Sequence, residues 1–371
     1  MLHLIGIIIS FFLSLILFTK KGKSQADLIL SFWLFFIGTH LSLFYIHITG
    51  QYVRFPYFLG FEIPLPLIHG PFLYLYTRSL TSQNNKKEHW VIHFLPLIVA
   101  NGLLYKFFLL SFNERIQVYA NAGIGFENVM KWMYLATLLS GVIYVILSLS
   151  LLKKYSEYIS NQFSDLEKIN LNWLRYLILG IGAIWIPVFF ANDIYTFTIL
   201  DIFILFVGYF GVKQVGIFTN SNMTSQSINE KEDEVDATNI VEKTKYQSST
   251  ADESLLLKIH QDLQALMQEE KLYKHPELNL EELAQRLKVN PNTLSQVINS
   301  IENKNFFDYI NEQRIAEFIR ISVLQENQRF TLLSLAFEVG FNSKTSFNRN
   351  FKRITGQTPT MYLKEQKIQL E

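Results

Sequence analysis

Cysteine is absent from this sequence of 371 residues. Without thiols there is no disulfide framework, no thiolate zinc site and no cysteine nucleophile, and the redox compartment is left undetermined. The eight histidines form no HExxH motif of the kind that holds zinc in a metalloprotease. We therefore expect neither a metal site nor a cofactor.

Charged residues are scarce from Met1 to about Asn220, whereas the rest of the chain has the composition of an ordinary soluble protein. The formal net charge of +1 averages these two unlike halves and says little about partners. The first apolar run has no basic residue before it, and Lys20, Lys21 and Lys23 follow it. That arrangement favours a first membrane span over a cleaved signal peptide.

Seven apolar stretches in the first half are each close to the length of about 20 residues that a helix needs to cross a bilayer. They are Leu2–Thr19, Leu28–Ile48, Phe58–Leu80, Trp90–Leu110, Val129–Leu152, Trp173–Asn192 and Ile194–Lys213. A large soluble all-α core is the alternative, but its helices would have to be apolar on every side, which soluble packing rarely supplies. The sequence predicts a seven-helix transmembrane bundle over residues 1–218.

The orientation of this bundle is predicted from its short loops, because basic residues favour the cytoplasmic side. Loops one, three and five hold most of the basic residues: Lys20, Lys21, Lys23, Arg78, Lys86, Lys87, Lys153, Lys154 and Lys168. Loops two, four and six are poorer in them. We therefore expect a bacterial inner-membrane protein with its N-terminus outside and its C-terminal half in the cytoplasm.

Glu62, His69, His93 and Asp201 are ionisable residues inside predicted spans. Because such groups are costly in hydrocarbon, we treat them as candidates for sensing a signal. The alternative is that they pair with each other or with kinked backbone to orient helices, and the sequence leaves both open.

Enzyme chemistry finds little support. Glu62 and Asp201 could serve a membrane enzyme, but no second acid or metal-binding spacing accompanies them. The soluble half has no phosphate-binding loop, kinase signature or nucleophile elbow. We expect no enzyme and no catalytic residue.

Residues 219–250 are rich in Ser, Asn, Thr, Glu, Asp and Lys, and the run from Glu230 to Asp236 is almost entirely charged. Such a composition predicts a disordered linker. A flexible linker does not transmit a small rotation of a helix. We therefore hypothesise that the membrane half acts by changing the assembly or the local concentration of the DNA-binding domains. Rigid coupling from the seventh span and proteolytic release of the soluble half are the alternatives.

Helical periodicity returns from Glu253. The predicted buried face of this first helix consists of Leu255, Leu256, Ile259, Leu263, Leu266 and Met267. A short helix with Leu283 and Ala284 inside then leads to Asn290, a good N-cap, and Pro291, which fits a first helical position. The helix that follows is predicted to turn polar side chains outward: Asn292, Thr293, Ser295, Gln296 and Asn299. These are the parts of a helix-turn-helix.

The same pattern repeats after a long helix rich in aromatic residues. Leu332–Val339 is predicted as a short helix, Gly340 makes the turn, and Asn342 or Ser343 caps a second recognition helix. The predicted outward face of that helix consists of Lys344, Thr345, Asn348, Arg349, Lys352 and Arg353. No acid occurs from Asn342 to Gly356, so positive charge is concentrated where DNA phosphates would lie.

The tandem arrangement resembles the DNA-binding domain of the arabinose-regulator (AraC/XylS) family over Ala251 to Leu363. The residues that match are Phe307-Asp-Tyr-Ile-Asn311, Arg314, Leu335-Ala336, Val339-Gly-Phe341, Ser346-Phe347, Phe351-Lys352, Gly356 and Pro359. The resemblance implies that Pro291–Asn299 and Lys344–Arg353 enter successive major grooves on one face of DNA. The chain departs from the family at its end, where Leu363 stands in place of the basic residue that often follows the closing tyrosine.

The membrane half is similar to the multi-span sensory domains that some bacteria fuse to this module. The similar motifs are Leu67-Ile-His-Gly-Pro-Phe-Leu-Tyr-Leu-Tyr76 and His93-Phe-Leu-Pro96. The expected fold class is therefore all-α: a seven-helix transmembrane bundle (1–218), a linker (219–250) and a cytoplasmic all-α domain with two helix-turn-helix motifs (251–371).

We expect a membrane-anchored transcription regulator that couples a membrane or extracytoplasmic signal to gene expression. Its expected partners are operator DNA, the lipid bilayer, RNA polymerase and an unidentified small-molecule or membrane signal, with homodimerisation left open. The alternative is a membrane transporter or channel that a DNA-binding-like cytoplasmic domain regulates. No repeated half or broken-helix pair points to a transporter.

Overall fold

A computed structural model describes residues 2–81, 89–167, 169–190, 193–213 and 250–370 of the chain. Within these ranges the regular elements are all helices, and the single β-bridge, between Phe163 and Asn279, stands alone. The all-α prediction is confirmed for the described residues. The linker predicted for 219–250 lies outside them, apart from Thr250.

The chain divides into two compact units. Unit 1 comprises Met1–Tyr155 with Leu171–Asp233, and unit 2 comprises Ser156–Asn170 with Glu234–Glu371. The segment Ser156–Asn170 therefore belongs to the C-terminal unit, although the sequence-based boundaries assign it to the N-terminal domain. The physical reason is the burial of Ser164, whose hydroxyl donates to the carbonyl oxygen of Leu278 (2.6 Å).

The helices in the first part of the chain are α1 (Leu2–Thr19), α2 (Gln25–Ile48), α3 (Pro66–Thr81), α4 (Leu95–Leu103), α5 (Tyr105–Phe108), α6 (Phe112–Ala120), α7 (Glu127–Gln162), α8 (Asn172–Phe189) and α9 (Asp193–Lys213). Among the described residues, α2, α7 and α8 are long and apolar enough to cross a membrane. His3–Thr19, Trp90–Leu103 and Tyr195–Leu205 are shorter apolar helices. Each of the seven predicted segments contains helix, but among the described residues only three helices meet the length and composition of a span. The predicted count of seven spans is therefore not confirmed.

The predicted third and fourth spans differ most from the observed helices. Helix α3 begins at Pro66 rather than at Phe58, and the residues before it form short 3-10 turns. Pro64 and Pro66 lack backbone N–H donors, so a continuous helix through this stretch would lose hydrogen bonds. The fourth predicted span is divided into a 3-10 turn at Trp90–Phe94 followed by α4 and α5.

The core of unit 1 is built mainly by α1, α2, α3, α8 and α9. Leu17, Leu41, Leu73, Leu174 and Ile178 are fully buried in it. The opposite faces of these helices are apolar as well: Ile8, Phe12 and Phe32 on α1 and α2, and Leu179 and Ile186 on α8, are exposed. Helices that are apolar on both faces have no favourable contact with water on their outer side.

The helices of the C-terminal half are α10 (Thr250–Glu269), α11 (Leu280–Leu287), α12 (Pro291–Ile301), α13 (Phe306–Ser322), α14 (Leu332–Glu338), α15 (Lys344–Thr355) and α16 (Pro359–Leu370). They enclose two hydrophobic cores that share α13. The first core contains Leu263, Ala284, Leu294 and Ile310, and the second contains Phe318, Ala336, Val339 and Phe351. Because α13 contributes its first half to one core and its second half to the other, it fixes the two helix pairs to one rod.

The predicted buried faces of these helices are confirmed with one exception. Leu255 is half exposed, whereas Ile259, Leu263 and Met267 on the same helix are buried. The buried face of α10 begins at about Leu256, so the prediction placed the start of that face one residue too early.

Candidate DNA interface and candidate signal site

The first helix-turn-helix consists of α11, a short turn and α12. Lys288, the C-cap that follows α11, adopts a left-handed conformation (φ 55°) and turns the chain. The side chain of Asn290 then accepts a hydrogen bond from the backbone N–H of Asn292 (2.8 Å), and Pro291 occupies the first helical position. The predicted N-cap is confirmed.

The second helix-turn-helix consists of α14, a turn at Gly340 and α15. The φ of Gly340 is +102°, and a Cβ there would lie 2.6 Å from the carbonyl oxygen of Tyr273. Only glycine fits this close approach without strain. Ser343 is the N-cap of α15, and its hydroxyl accepts a hydrogen bond from the backbone N–H of Ser346 (3.1 Å). Of the two predicted caps, Ser343 is therefore the one used.

The outer face of α12 is polar and uncharged. Asn292, Gln296 and Asn299 are exposed, while Thr293 and Ser295 are half-buried. Amide side chains at such positions can pair with the edges of adenine bases in a major groove. Because it carries no positive charge, α12 is suited to base contacts more than to phosphate contacts.

The outer face of α15 is polar and positively charged. Lys344, Thr345, Asn348, Arg349, Lys352 and Arg353 are exposed, and the opposite face is buried through Phe347 and Phe351. Lysine and arginine on an exposed helix are the groups that neutralise DNA phosphates, and arginine also pairs with guanine.

Arg353 differs from its neighbours on α15. Its guanidinium lies 2.5 Å from the carboxylate of Asp308 and donates to the side chain of Asn350 (3.1 Å). The guanidinium also lies over the ring of Phe307 at 5.7 Å. A residue predicted to contact DNA thus joins α15 to α13.

Sequence patterns missed the polar centre of unit 2. Arg314 is almost fully buried, and its guanidinium donates to the carbonyl oxygens of Tyr273 (2.7 Å) and His275 (2.8 Å) and to the hydroxyl of Ser164 (3.1 Å). Burial lowers the pKa of Arg314 to about 10, against an opposing effect of the nearby Asp165 carboxylate. Arg314 therefore stays charged at neutral pH. The family resemblance singled out Arg314, but nothing local in the sequence reveals its partners.

The four candidate signal-sensing residues are paired with four different partners. Glu62 bonds with Tyr119, His69 with His40, His93 with Tyr144, and Asp201 with His3. They do not form one cluster. Only Glu62 and His69 line the same cavity.

That cavity lies within unit 1 and has a volume of about 510 Å³, which is in the range of small-molecule sites. Its walls are mostly apolar and aromatic, with a few polar groups. Trp33 Nε1–H donates to His69 Nδ1 (3.3 Å), so His69 carries its proton on Nε2 and donates to His40 Nδ1 (3.0 Å). In this series of hydrogen bonds His40 accepts at Nδ1, so its proton is on Nε2 and Nε2–H is a donor.

Metal binding gains no support. His89 and His93 are four residues apart in the sequence, but the latter lies in a 3-10 turn and bonds with Tyr144. Within the described residues there is no group of three or more histidine or carboxylate side chains that could hold a metal ion.

Comparison with known proteins gives one match. Residues 283–365, which run from within α11 to within α16, match a family of helix-turn-helix domains. Neither the curated proteins nor the solved structures yield a match. The match supports the arabinose-regulator type of helix-turn-helix at the C-terminus and, with it, a DNA-binding transcription regulator.

Proposed function

We propose that this chain is a membrane-anchored, sequence-specific transcription regulator that couples a membrane or extracytoplasmic signal to gene expression. The observation that carries the proposal is the pair of helix-turn-helix units on one rod, α13. Two recognition helices that are fixed to one rod can reach successive major grooves. The amide face of α12 would read bases, and the basic face of α15 would contact both bases and phosphates.

Membrane anchoring is supported by the outer faces of unit 1. Large apolar side chains are exposed along α1, α7 and α8, among them Ile8, Phe12, Trp132 and Ile186. Contiguous apolar surface of this kind is rare on soluble proteins and is covered by lipid in membrane proteins. We propose that all seven apolar segments cross the bilayer, with the N-terminus outside and the DNA-binding half in the cytoplasm.

The candidate site for the signal is the cavity of unit 1. Its apolar walls favour a lipophilic molecule, and the donor at His40 Nε2 favours one with an acceptor oxygen. The paired residues His3, Asp201, His93 and Tyr144 lie outside this cavity's lining and would orient helices.

Sequence selection tests the DNA-binding proposal. The full chain in lipid nanodiscs is incubated with a random library of duplexes, and bound DNA is sequenced over successive rounds. We expect one sequence to be enriched by the wild type and by Lys364→Ala, which changes an exposed lysine on α16. The Arg349→Ala variant should relax the choice at one base pair. Absence of duplex binding by the wild type at low salt would refute the proposal.

Reporter fusions test the membrane topology. A cytoplasmic reporter fused after Glu371 should be active, and a phosphatase that works only outside the cytoplasm should be inactive there. The reverse result would overturn both the orientation and the DNA-binding role.

A further inference from the structure

The segment Phe163–Glu167, which follows α7 and precedes α8 in the chain, packs inside unit 2. Ser164 is buried, and both its backbone N–H (3.2 Å) and its hydroxyl (2.6 Å) donate to the carbonyl oxygen of Leu278. The backbone carbonyl of Ser164 accepts a hydrogen bond from the side chain of Asn311 (3.0 Å). A buried serine with this many partners is a specific anchor and not an incidental surface contact.

Arg314 adds to the anchor without depending on it. Its guanidinium donates to the hydroxyl of Ser164 (3.1 Å) and, more weakly, to its carbonyl oxygen (3.3 Å). The carbonyl oxygens of Tyr273 and His275 are acceptors that would remain if the segment left. Departure of the segment would therefore free part of the guanidinium for water, while the rest stays bonded.

Two carboxylates beyond the anchor reach the beginning of the second recognition helix. Asp165 accepts a hydrogen bond from the side chain of Asn342 (2.8 Å), and Glu167 accepts one from the hydroxyl of Ser343. Ser343 is the N-cap of α15. The N-terminus of a helix has unpaired N–H groups and the positive end of the helix dipole, so carboxylates are favoured there.

The same end of α15 is the one that DNA needs. In a helix-turn-helix the N-terminal residues of the recognition helix contact the base edges of the major groove. Asp165 and Glu167 occupy this place with negative charge, and they would meet the phosphates of an approaching duplex with repulsion.

We propose that the N-terminal end of α15 is a docking surface for this chain's own segment Phe163–Glu167, and that the segment and DNA compete for it. The proposal rests on the proposed DNA-binding function. In the docked form the second helix-turn-helix is closed, and DNA reaches α15 only when the segment leaves.

Chain connectivity gives this closed state a route to the signal. The segment follows α7 directly and precedes α8 by four residues. Both helices line the cavity of unit 1, through Met133 and Thr137 on α7 and through Ile181 and Trp185 on α8. A ligand that changes how these two helices pack would act on both ends of the segment. No signal needs to pass through residues 219–250.

The first test removes the carboxylates. We compare the wild type, the double variant Asp165→Ala/Glu167→Ala and the control Glu326→Ala, an exposed acid of the same unit. Each full chain is placed in phosphatidylcholine nanodiscs, and its affinity for a labelled duplex of mixed sequence, long enough to span both recognition helices, is measured by fluorescence anisotropy. If the closed state holds about nine molecules in ten, the double variant should bind about tenfold more tightly, because the apparent Kd is the intrinsic Kd divided by the competent fraction.

The second test locks the segment in place. The chain lacks cysteine, so Asp165→Cys/Asn342→Cys supplies its only two thiols, which a short bis-methanethiosulfonate reagent can join reversibly. We expect the linked protein to lose at least about tenfold in duplex affinity and to regain it with dithiothreitol. Each single-cysteine variant with the same reagent is the control.

These tests separate failure of the inference from failure of the function. Equal affinity of the double variant and the wild type, an equal gain in Glu326→Ala, lack of crosslinking, or normal DNA binding by the linked protein would each overturn the docking proposal while DNA binding stands. If neither the wild type nor any variant binds the duplex at low salt, DNA binding itself fails and the docking proposal falls with it.

Discussion

The guanidinium of Arg353 on α15 lies 2.5 Å from the carboxylate of Asp308 on α13. This pair connects the second recognition helix to the rod that carries both helix-turn-helix units. Lys352, the preceding residue, is exposed and makes no such connection among the described residues. The two adjacent basic residues should therefore respond differently to substitution.

Arg353→Ala is expected to lower the free energy of unfolding of unit 2 by about 1 kcal/mol, since the pair is partly exposed and its stacking on Phe307 is also lost. Lys352→Ala should leave stability unchanged and flatten the salt dependence of DNA binding by about one unit of slope. Urea unfolding followed by a dye on an introduced Gln325→Cys, together with anisotropy at several salt concentrations, measures both. Equal stability of the two variants would contradict the structural role of Arg353.

Arg349 is exposed in the middle of α15, and an arginine side chain can pair bidentately with guanine. Arg349→Ala should cost about 1–3 kcal/mol of binding to the selected duplex and relax the preference at one base pair. Kd values for the selected duplex and its single-base variants provide the measurement. An equal loss on every duplex would mean that Arg349 contacts only phosphate.

Most of unit 2 could be predicted because its signals are local. The N-cap Asn290 lies next to the helix that it starts, and the buried positions of α12 repeat with the period of a helix. The docked segment could not be predicted, because Ser164 bonds with Leu278, 114 residues away in the chain. Local patterns carry no information on such a pair.

The N-terminal half shows the same contrast between local features, which could be predicted, and distant pairings, which could not. The bounds of α1 agree with those of the predicted first segment, because its apolar run is continuous and Lys20 follows it directly. The third predicted segment is longer than the helix it contains, since α3 begins at Pro66 and not at Phe58. Hydropathy alone does not show that Pro64 and Pro66 interrupt the backbone hydrogen bonds. The pairing of Glu62 with Tyr119 and of Asp201 with His3 depends on tertiary packing, which span counting does not address.

Gly340 offers a sharp test of the second turn. Gly340→Ala puts a Cβ 2.6 Å from the carbonyl oxygen of Tyr273 at a φ of +102°, so we expect a loss of at least about 2–3 kcal/mol in the free energy of unfolding. Gly356→Ala is the matched control, because its φ is +78° and a Cβ there meets nothing within 4 Å. It should cost about 1 kcal/mol. The urea midpoints of the dye-labelled full chains report both. Equal shifts would mean that the close approach to Tyr273 is relieved at no cost.

Glu317 should make the stability of unit 2 depend on pH. Its carboxylate accepts two hydrogen bonds from Arg320 (2.7 and 2.9 Å), and Lys271 and Lys274 lie nearby. The bond with Arg320 is the main cause that lowers its pKa from 4.5 to about 2. A carboxylate whose pKa is lower in the folded than in the unfolded protein stabilises the fold at pH values above its unfolded-state pKa. That stability is lost as the pH falls from about 4.5 towards 2. Urea midpoints across this range should fall more steeply for the wild type than for Glu317→Gln. Parallel curves would contradict the prediction.

Lengthening the linker tests the route by which a signal reaches DNA. About ten Gly/Ser residues inserted after Asn229 should change duplex affinity by less than about twofold, because the effective concentration across a tether falls only as about the −3/2 power of its length. The crosslinking yield of the Asp165→Cys/Asn342→Cys variant should stay the same, since the docked segment reaches α15 without residues 219–250. Control by assembly or by the docked segment is compatible with this result, whereas a rigid helix from the seventh span is not. A loss of duplex affinity or of crosslinking yield by about an order of magnitude, with the protein still present in the membrane, would show that the linker itself transmits the signal. The hypothesis of control by assembly or local concentration would then be wrong.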